Sequence, residues 1–326
     1  MNASGTDHLA RSRRNQFTAV RLNREVELRD NAQWVTKTLT DPNTRLVPLW
    51  RSRSLLERNS GGTLAIYLSP ADLTEPDRIQ PPTLLGNDGK HDYFAASVTD
   101  TQKDTILARL PKAQFADLRR ASIDMAAKHA GILAYAKALH YWQYRHAFCG
   151  ICGSPNLLRS AGHRMACSND ECARESFPRI DPAIIVLVTH GDSCLLGRNA
   201  RWRPKQFSTL AGFVEPGESL EDAVVREVYE EVQVSLTDIR YVSSQPWPFP
   251  ASAMCGFYAE AVDRDSGSSE EVDEARWFTV KSLTQAVIAD EVRLSPPVSI
   301  AFRLLADWFR NNGGGNLEEL VRQQRR

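Results

Sequence analysis

The stretch that most constrains this chain is Gly212-Phe-Val-Glu-Pro-Gly-Glu-Ser-Leu-Glu-Asp-Ala-Val-Val-Arg-Glu-Val-Tyr-Glu-Glu-Val-Gln-Val234, a helical pattern whose apolar face is interrupted by acids. At about 100° per residue, Leu220, Ala223 and Val224 share one stripe. Glu227 and Glu231 project into that stripe, with Glu230 one step round. Carboxylates one turn apart on a part-buried face repel each other and are costly to desolvate, unless a cation sits between them. On composition alone, the competing reading is a solvated acidic helix laced by i,i+4 pairs. The helix start is well specified: Ser219 is a good N-cap, Asp222 completes a capping box and Gly217 allows a tight turn before it. The spacing predicts a helix over 220–232. Three glutamates with no His or Cys beside them suit a hard cation, Mg²⁺ or Mn²⁺, and such ions complete their shells with water and substrate phosphates. A phosphate-containing substrate follows.

The second constraint is Cys149-x2-Cys152, fourteen residues, then Cys167-x4-Cys172. Two close pairs of thiols in short turns are how tetrahedral zinc coordination is built, and this spacing predicts a structural zinc ribbon. Disulfides are disfavoured without a secretory segment, and a redox Cys-x-x-Cys is disfavoured because two pairs occur. His146 and His163 lie near enough in sequence to substitute, but four cysteines already close the shell. Cys194 and Cys255 sit in apolar runs and are expected to be small buried side chains.

A third run, Ser244-Gln-Pro-Trp-Pro-Phe-Pro-Ala-Ser252, is stiff because its prolines fix φ and restrict the residues before them. Taken alone it reads equally well as a rigid surface turn with Trp247 tucked into the core. In combination, these three features resemble a known family. Gly212, Glu218, Arg226-Glu227, Glu230-Glu231 and Val234 resemble the Nudix box, and the Ser-Gln-Pro-Trp-Pro-Phe-Pro-x-Ser run downstream, with a four-cysteine ribbon upstream, is similar to the NADH pyrophosphatase branch of the Nudix hydrolases. The resemblance is strong over about residues 145–305 and only in outline before them.

That resemblance implies site residues. Glu227 and Glu231 would ligate the catalytic metals, Glu230 would assist, and the Ala211 carbonyl would add a backbone ligand. Glu271, heading Glu271-x-x-Glu274-Ala-Arg-Trp277, would be a further ligand or the catalytic base, and Arg226 would orient a glutamate through an ion pair. Gln245, Pro246, Trp247, Pro248, Phe249, Pro250, Ala251 and Ser252, with Phe177 and the Ala301 backbone, would contact substrate, the aromatics stacking on a base. The family usually has Tyr at the position of Phe177, so a hydroxyl contact is missing here. A second departure is Gln233, where the box has a glycine that lets the chain leave the helix left-handed. Gln233 either adopts that conformation at a strain of about 1 kcal/mol or the helix ends differently.

The implied reaction is metal-dependent hydrolysis of the NADH or NAD⁺ pyrophosphate to nicotinamide mononucleotide and AMP, with removal of NAD caps from RNA 5′ ends as an activity of the same branch. A Nudix hydrolase of ADP-ribose or other nucleoside diphosphates, and a zinc-ribbon nucleic-acid-binding protein with an inactive Nudix domain, are the alternatives. A homodimer is the family expectation. The implied fold class is α+β: a mixed sheet sandwiched by helices over 182–326, a zinc ribbon over 145–181, and a Nudix-like α/β domain over 1–144.

Within that frame, apolar β-prone runs predict strands at Thr44–Trp50, Thr63–Leu68 and Asp92–Val98, then helices over 113–125 and 126–146. The second helix carries an apolar stripe for the first domain or a partner subunit. Strands follow at Ala183–Val188, Ser193–Leu196, Phe207–Ala211, 253–262 and 273–279, with a closing helix Pro297–Arg310. At 326 residues and 42% hydrophobic, the chain can fill two or three cores. No apolar stretch reaches the roughly 18 residues of a membrane span. Met1–Asn15 reads as a disordered polar start without a signal-peptide core, and the terminal Gln-Gln-Arg-Arg is no peroxisomal signal, so a soluble cytoplasmic protein is expected. Forty basic residues balance forty acidic ones, so any RNA binding must be local.

Overall fold

The computed structural model describes residues 7–18, 20–73 and 80–324. The chain divides into two compact units, one of residues 17–180 with 247–251, the other of residues 1–16 with 181–246 and 252–326. Residues 1–6 of the expected disordered start lie outside the described residues. Its remainder is ordered: helix α1 (His8–Arg14) is capped by the Asp7 carboxylate, and Arg14 pairs with Asp307 at 2.7 Å. The expectation of disorder there is corrected because polar and charged side chains tie the segment down.

In the first unit the elements are α2 (Ala32–Thr40), β1 (Arg45–Trp50), β2 (Arg53–Asn59), β3 (Gly62–Ala65), β4 (Thr83–Asn87), β5 (Asp92–Ser97), α3 (Asp100–Arg109), β6 (Ala113–Ala116), α4 (Leu118–Ala121) and α5 (Ala127–Arg145). Its sheet runs β3-β2-β1-β5-β4 with β6 on β2, and β1 and β5 are parallel. The predicted helix over 113–125 is corrected: Ala113–Ala116 pairs with Ser54–Glu57 of β2, because ladder partners distant in sequence outweigh local helical propensity. Helix α5 buries Ile132, Leu133, Ala136 and Leu139 against Val47, Leu49, Leu56 and Tyr93, so its apolar stripe is spent inside this unit. After α5 come β7 (Asn156–Arg159), β8 (Arg164–Cys167) and β9 (Glu175–Ser176), a three-stranded antiparallel ribbon.

The second unit continues with β10 (Asp181–His190), β11 (Ser193–Asn199), β12 (Gln206–Phe207), β13 (Leu210–Phe213), α6 (Leu220–Val232), β14 (Leu236–Trp247), β15 (Ser252–Ala261), β16 (Val272–Thr279), α7 (Val280–Ile288), β17 (Arg293–Leu294), α8 (Ile300–Asn311) and α9 (Leu317–Gln324). Its sheet order is β14-β15-β10-β11-β16, with β13 on β10 and the β10–β15 pair parallel. Central strand β10 has no polar face. Ile184, Val186 and Val188 join Val224, Val228 and Val232 of α6, whereas Ile185 and Leu187 join Phe302, Leu305 and Phe309 of α8. Alternate side chains of one strand therefore reach two helical layers, the reason for its uninterrupted apolar run. The predicted 220–232 helix is present with its capping box, and Gln233 takes the left-handed conformation at φ 61°, ψ 25°.

Candidate active site and thiol cluster

Strand β13 and helix α6 bring Gly212 against Glu227. A Cβ built on Gly212 would lie 1.8 Å from the Glu227 Cδ and about as close to both carboxylate oxygens, so the missing side chain is the seat of that carboxylate. One turn on, Glu231 is only 9% exposed, and its Oε2 is buried without a hydrogen-bond partner. Burial first, then the charges of Glu227 and Glu271, pushes its carboxyl up to about 8, against a backbone hydrogen bond from Ala211. Glu227 is raised too. Its burial outweighs the lowering effect of Arg226, and Glu230 and Glu271 add to the rise. A buried carboxylate oxygen with no partner beside two further acids is a high-energy arrangement that a cation relieves.

Arg226 organises the near side of this cluster. Its Nε and Nη2 reach Glu218 at 2.5 and 2.9 Å, Nη2 donates to the Phe213 carbonyl at 2.9 Å, and Nη1 lies 3.0 Å from both Glu227 and Glu230. The fork fixes Glu227 from one side while Gly212 receives it from the other. The Arg226 hydrogen bonds, with the Glu215 amide, hold the Glu218 carboxyl down to about 2. Glu230 is 59% exposed and faces Arg226. Glu271 is exposed at the bend before β16, its carbonyl accepting from the Ala200 N–H at 3.0 Å. Ala211 lies on β13 opposite Ile185.

The Pro-rich run is split. Ser244–Trp247 ends strand β14, so the expected rigid turn is shorter than its motif. Gln245 is 1% exposed. Its Nε2 donates to the Gln16 and Val298 carbonyls at 2.9 and 2.8 Å, and its Oε1 accepts from the Ile300 N–H at 2.8 Å, leaving the carboxamide occupied by its own unit. Ser252 is buried opposite Asp181, Ala301 is buried in the first turn of α8, and Pro246 is exposed. Trp247 and Phe249, with Pro248, Pro250 and Ala251 around them, belong to the other unit. There their rings stand 5.1 Å apart at 76°, and Arg119 lies 5.1 Å over Trp247. Phe177 is 62% exposed.

The four cysteine sulfurs all lie within 4.8 Å of one another, with Cys149–Cys172 at 3.8 Å and Cys152–Cys167 at 3.4 Å. Bonded sulfurs would be about 2.05 Å apart, whereas zinc–sulfur bonds of about 2.3 Å in a tetrahedron put sulfurs about 3.8 Å apart. Each sulfur also accepts backbone N–H groups: Ile151 and Cys152 on Cys149, Ser154 on Cys152, Asn169 on Cys167, Arg174 on Cys172. Amides aimed at sulfur favour thiolates, and the cluster could hold zinc. Among the described residues it is the one set of three or more such side chains found to close to this distance. His146 and His163 are engaged elsewhere, on the Trp142 and Leu84 carbonyls. Cys194 is fully buried and Cys255 partly so.

Sequence reading missed Gly212 as a seat, since glycine in a box does not say what its absent side chain makes room for. It also missed Gln245 as a bolt and Asn15, which donates to Ser243 and the Ser244 carbonyl.

Residues 179–296 match the family model of the NUDIX domain, and residues 43–142 that of the NADH pyrophosphatase-like rudimentary NUDIX domain. The chain thus carries a NUDIX domain behind a rudimentary NUDIX-like one. Among known proteins it is similar to the NAD-capped RNA hydrolase NudC of Stutzerimonas stutzeri, 43% identical over 177 residues that cover 54% of this chain and 63% of that protein. It is 38% identical over 204 residues to the NAD-capped RNA hydrolase NUDT12 of Macaca fascicularis, covering 59% of this chain and 44% of the relative. The chain spans about half the length of the curated relatives it matches. Among solved structures, a NUDIX hydrolase from Nitrosomonas europaea aligns at a TM-score of 0.40 and 23% identity, covering 52% of this chain and 93% of that one.

Proposed function

We propose that this chain hydrolyses the pyrophosphate bond of NADH or NAD⁺ to nicotinamide mononucleotide and AMP, and acts on the same bond where NAD caps an RNA 5′ end. The observation that carries the reading is a pair of carboxylates withdrawn from water, the partnerless Glu231 Oε2 and the Glu227 carboxylate seated on Gly212. The relatives named for hydrolysis of NAD-capped RNA support the choice of substrate. Glu227, Glu231 and Glu271, assisted by Glu230 and the Ala211 carbonyl, would hold Mg²⁺ or Mn²⁺, which when bound neutralises adjacent phosphates and favours in-line attack by water. Arg226 orients Glu227 and partly offsets the rise that burial imposes on its carboxyl. A carboxylate of the set would take the proton of the attacking water as the water oxygen bonds to one phosphorus and the bond from that phosphorus to the bridging oxygen breaks, the bridging oxygen leaving on the phosphate of the other mononucleotide. Phe177, Trp247 and Phe249 offer ring faces to a base. The four cysteines, holding zinc, brace the ribbon.

The reading further has the chain work as a cytoplasmic homodimer. No helix among the described residues is long and apolar enough to cross a membrane. The test is a panel of dinucleotides, including ADP-ribose, incubated with Mg²⁺ or Mn²⁺ and analysed for products. AMP with nicotinamide mononucleotide, in preference to turnover of ADP-ribose, is expected. No turnover by folded, metal-replete protein refutes the reading. NAD-capped RNA run beside free NADH at several salt concentrations separates the two substrates, because contacts to RNA phosphates weaken as salt rises.

A further inference from the structure

The rudimentary domain contains a cleft of about 380 Å³ that the proposed chemistry does not use, lined by residues of β2, β3, β6 and α4. Its floor is apolar, with Leu56 and Phe115 both buried. Around that floor stand three guanidinium groups, Arg53, Arg58 and Arg120. The chain as a whole is neutral, so this excess of positive charge is local. Compensation within the cleft is thin. Asp117 lines the cleft and accepts the Arg120 backbone N–H at 3.2 Å, and Asp124 pairs with Arg58 at 3.4 Å, so one positive charge is left over. Arg53 stacks at 5.7 Å on Trp50, which leaves its charge uncancelled.

A second observation points to a ligand. Thr63, paired in register with Arg58, lines the same cleft, is 5% exposed, and its Oγ1 is buried with no hydrogen-bond partner. A hydroxyl withdrawn from water without a partner costs about 1–3 kcal/mol, and the three guanidinium groups exceed the two carboxylates beside them by one charge. Both are relieved if the hollow receives an anion with several acceptor oxygens. Fork-shaped guanidinium groups match a tetrahedral phosphate, and a hydroxyl at the base supplies one more donor.

We propose that this cleft binds a phosphomonoester, with Arg53, Arg58 and Arg120 on the anion and the Thr63 hydroxyl at its base. A monoester presents three terminal oxygens to these donors where a diester presents two, and the apolar floor takes the organic body that the phosphate carries.

Calorimetric titration of the full chain without divalent metal tests this, with inorganic phosphate, AMP, adenosine and a 5′-hydroxyl oligonucleotide as probes. Saturable binding of phosphate and AMP, none of adenosine and weaker binding of the oligonucleotide are expected. The double variant R58Q/R120Q should bind AMP at least tenfold more weakly while its melting temperature and metal-dependent dinucleotide hydrolysis stay as in the parent. Thr63→Val, close in shape, should also weaken AMP several-fold without lowering the melting temperature of the free protein, because the hydroxyl it removes has no partner there. Absence of saturable phosphate and AMP binding, parental affinity in the double variant, or tighter binding of the oligonucleotide than of AMP would each overturn the proposal. These readouts are equilibrium affinities, so they decide the matter whatever reaction the glutamate set performs.

Discussion

Gly212→Ala separates catalysis from folding in a way that follows from one contact. The added methyl would sit 1.8 Å from the Glu227 Cδ, 1.9 Å from Oε1 and 2.1 Å from Oε2, where 3.4 Å is the near limit of ordinary contact. The carboxylate must therefore retreat by about 1.6 Å. It is the free end of a flexible side chain, so the retreat strains no backbone. Gly212 has no positive φ, and alanine within a strand lowers the entropy of the unfolded chain by a few tenths to about 1 kcal/mol in favour of folding. Stability should stay level or rise slightly. Activity should not, because a misplacement of about 1 Å at a reacting centre costs about 10²-fold, equivalent to about 2.7 kcal/mol of barrier. The assay is steady-state hydrolysis of NADH with Mg²⁺, run beside thermal denaturation of the same preparation. A variant within threefold of parental kcat, or one whose activity falls only because it unfolds, refutes the seat assigned to Glu227.

Other substitutions probe the scaffold. Gln233→Gly should raise stability by about 1 kcal/mol, since a non-glycine residue pays that much for the left-handed conformation, and a calorimetric melting temperature 2–4 °C higher would register it. Burial holds His140 and His163 down to about 4, with Lys137 adding to the first and Arg29 and Arg24 to the second. Their folded-state titration lies below the usual value near 6.5, so the neutral forms stabilise the fold fully above about pH 6.5. That contribution, up to about 3 kcal/mol for each, is lost as pH falls toward 4. Replacing His163 by Gln, which keeps a donor for the Leu84 carbonyl, should make the loss of stability toward pH 4 shallower, and an unchanged slope in urea melts would contradict the assignment. Elemental analysis should find one zinc per chain, and Cys152→Ser should lower that content and sensitise the ribbon to proteolysis. Full zinc content in this variant would exclude the thiol cluster as its holder.

Features that depend on neighbours within a turn or two are legible in the chain alone. The Ser219 cap, the 3.6-residue recurrence that puts Glu227 and Glu231 on the apolar stripe, and the pairwise spacing of the cysteines are local facts, and local geometry reproduces them. The solid run from Ala183 to Val188 reads as a strand buried on both faces for the same reason. Partnership between distant segments was decided only by the tertiary structure. Ala113–Ala116 became a strand because β2 offered it a ladder, and α1 is ordered because Asp307 holds Arg14, 293 positions earlier, and the β14 backbone holds Ser12, 232 positions earlier. Gln245 shows the division most plainly. Its place in a recognisable motif suggested substrate, yet its carboxamide is consumed by Gln16, Val298 and Ile300, groups that no spacing rule brings together. Period and spacing encode which face a side chain takes; which remote donor, methyl-sized gap or charge waits on that face is set by packing.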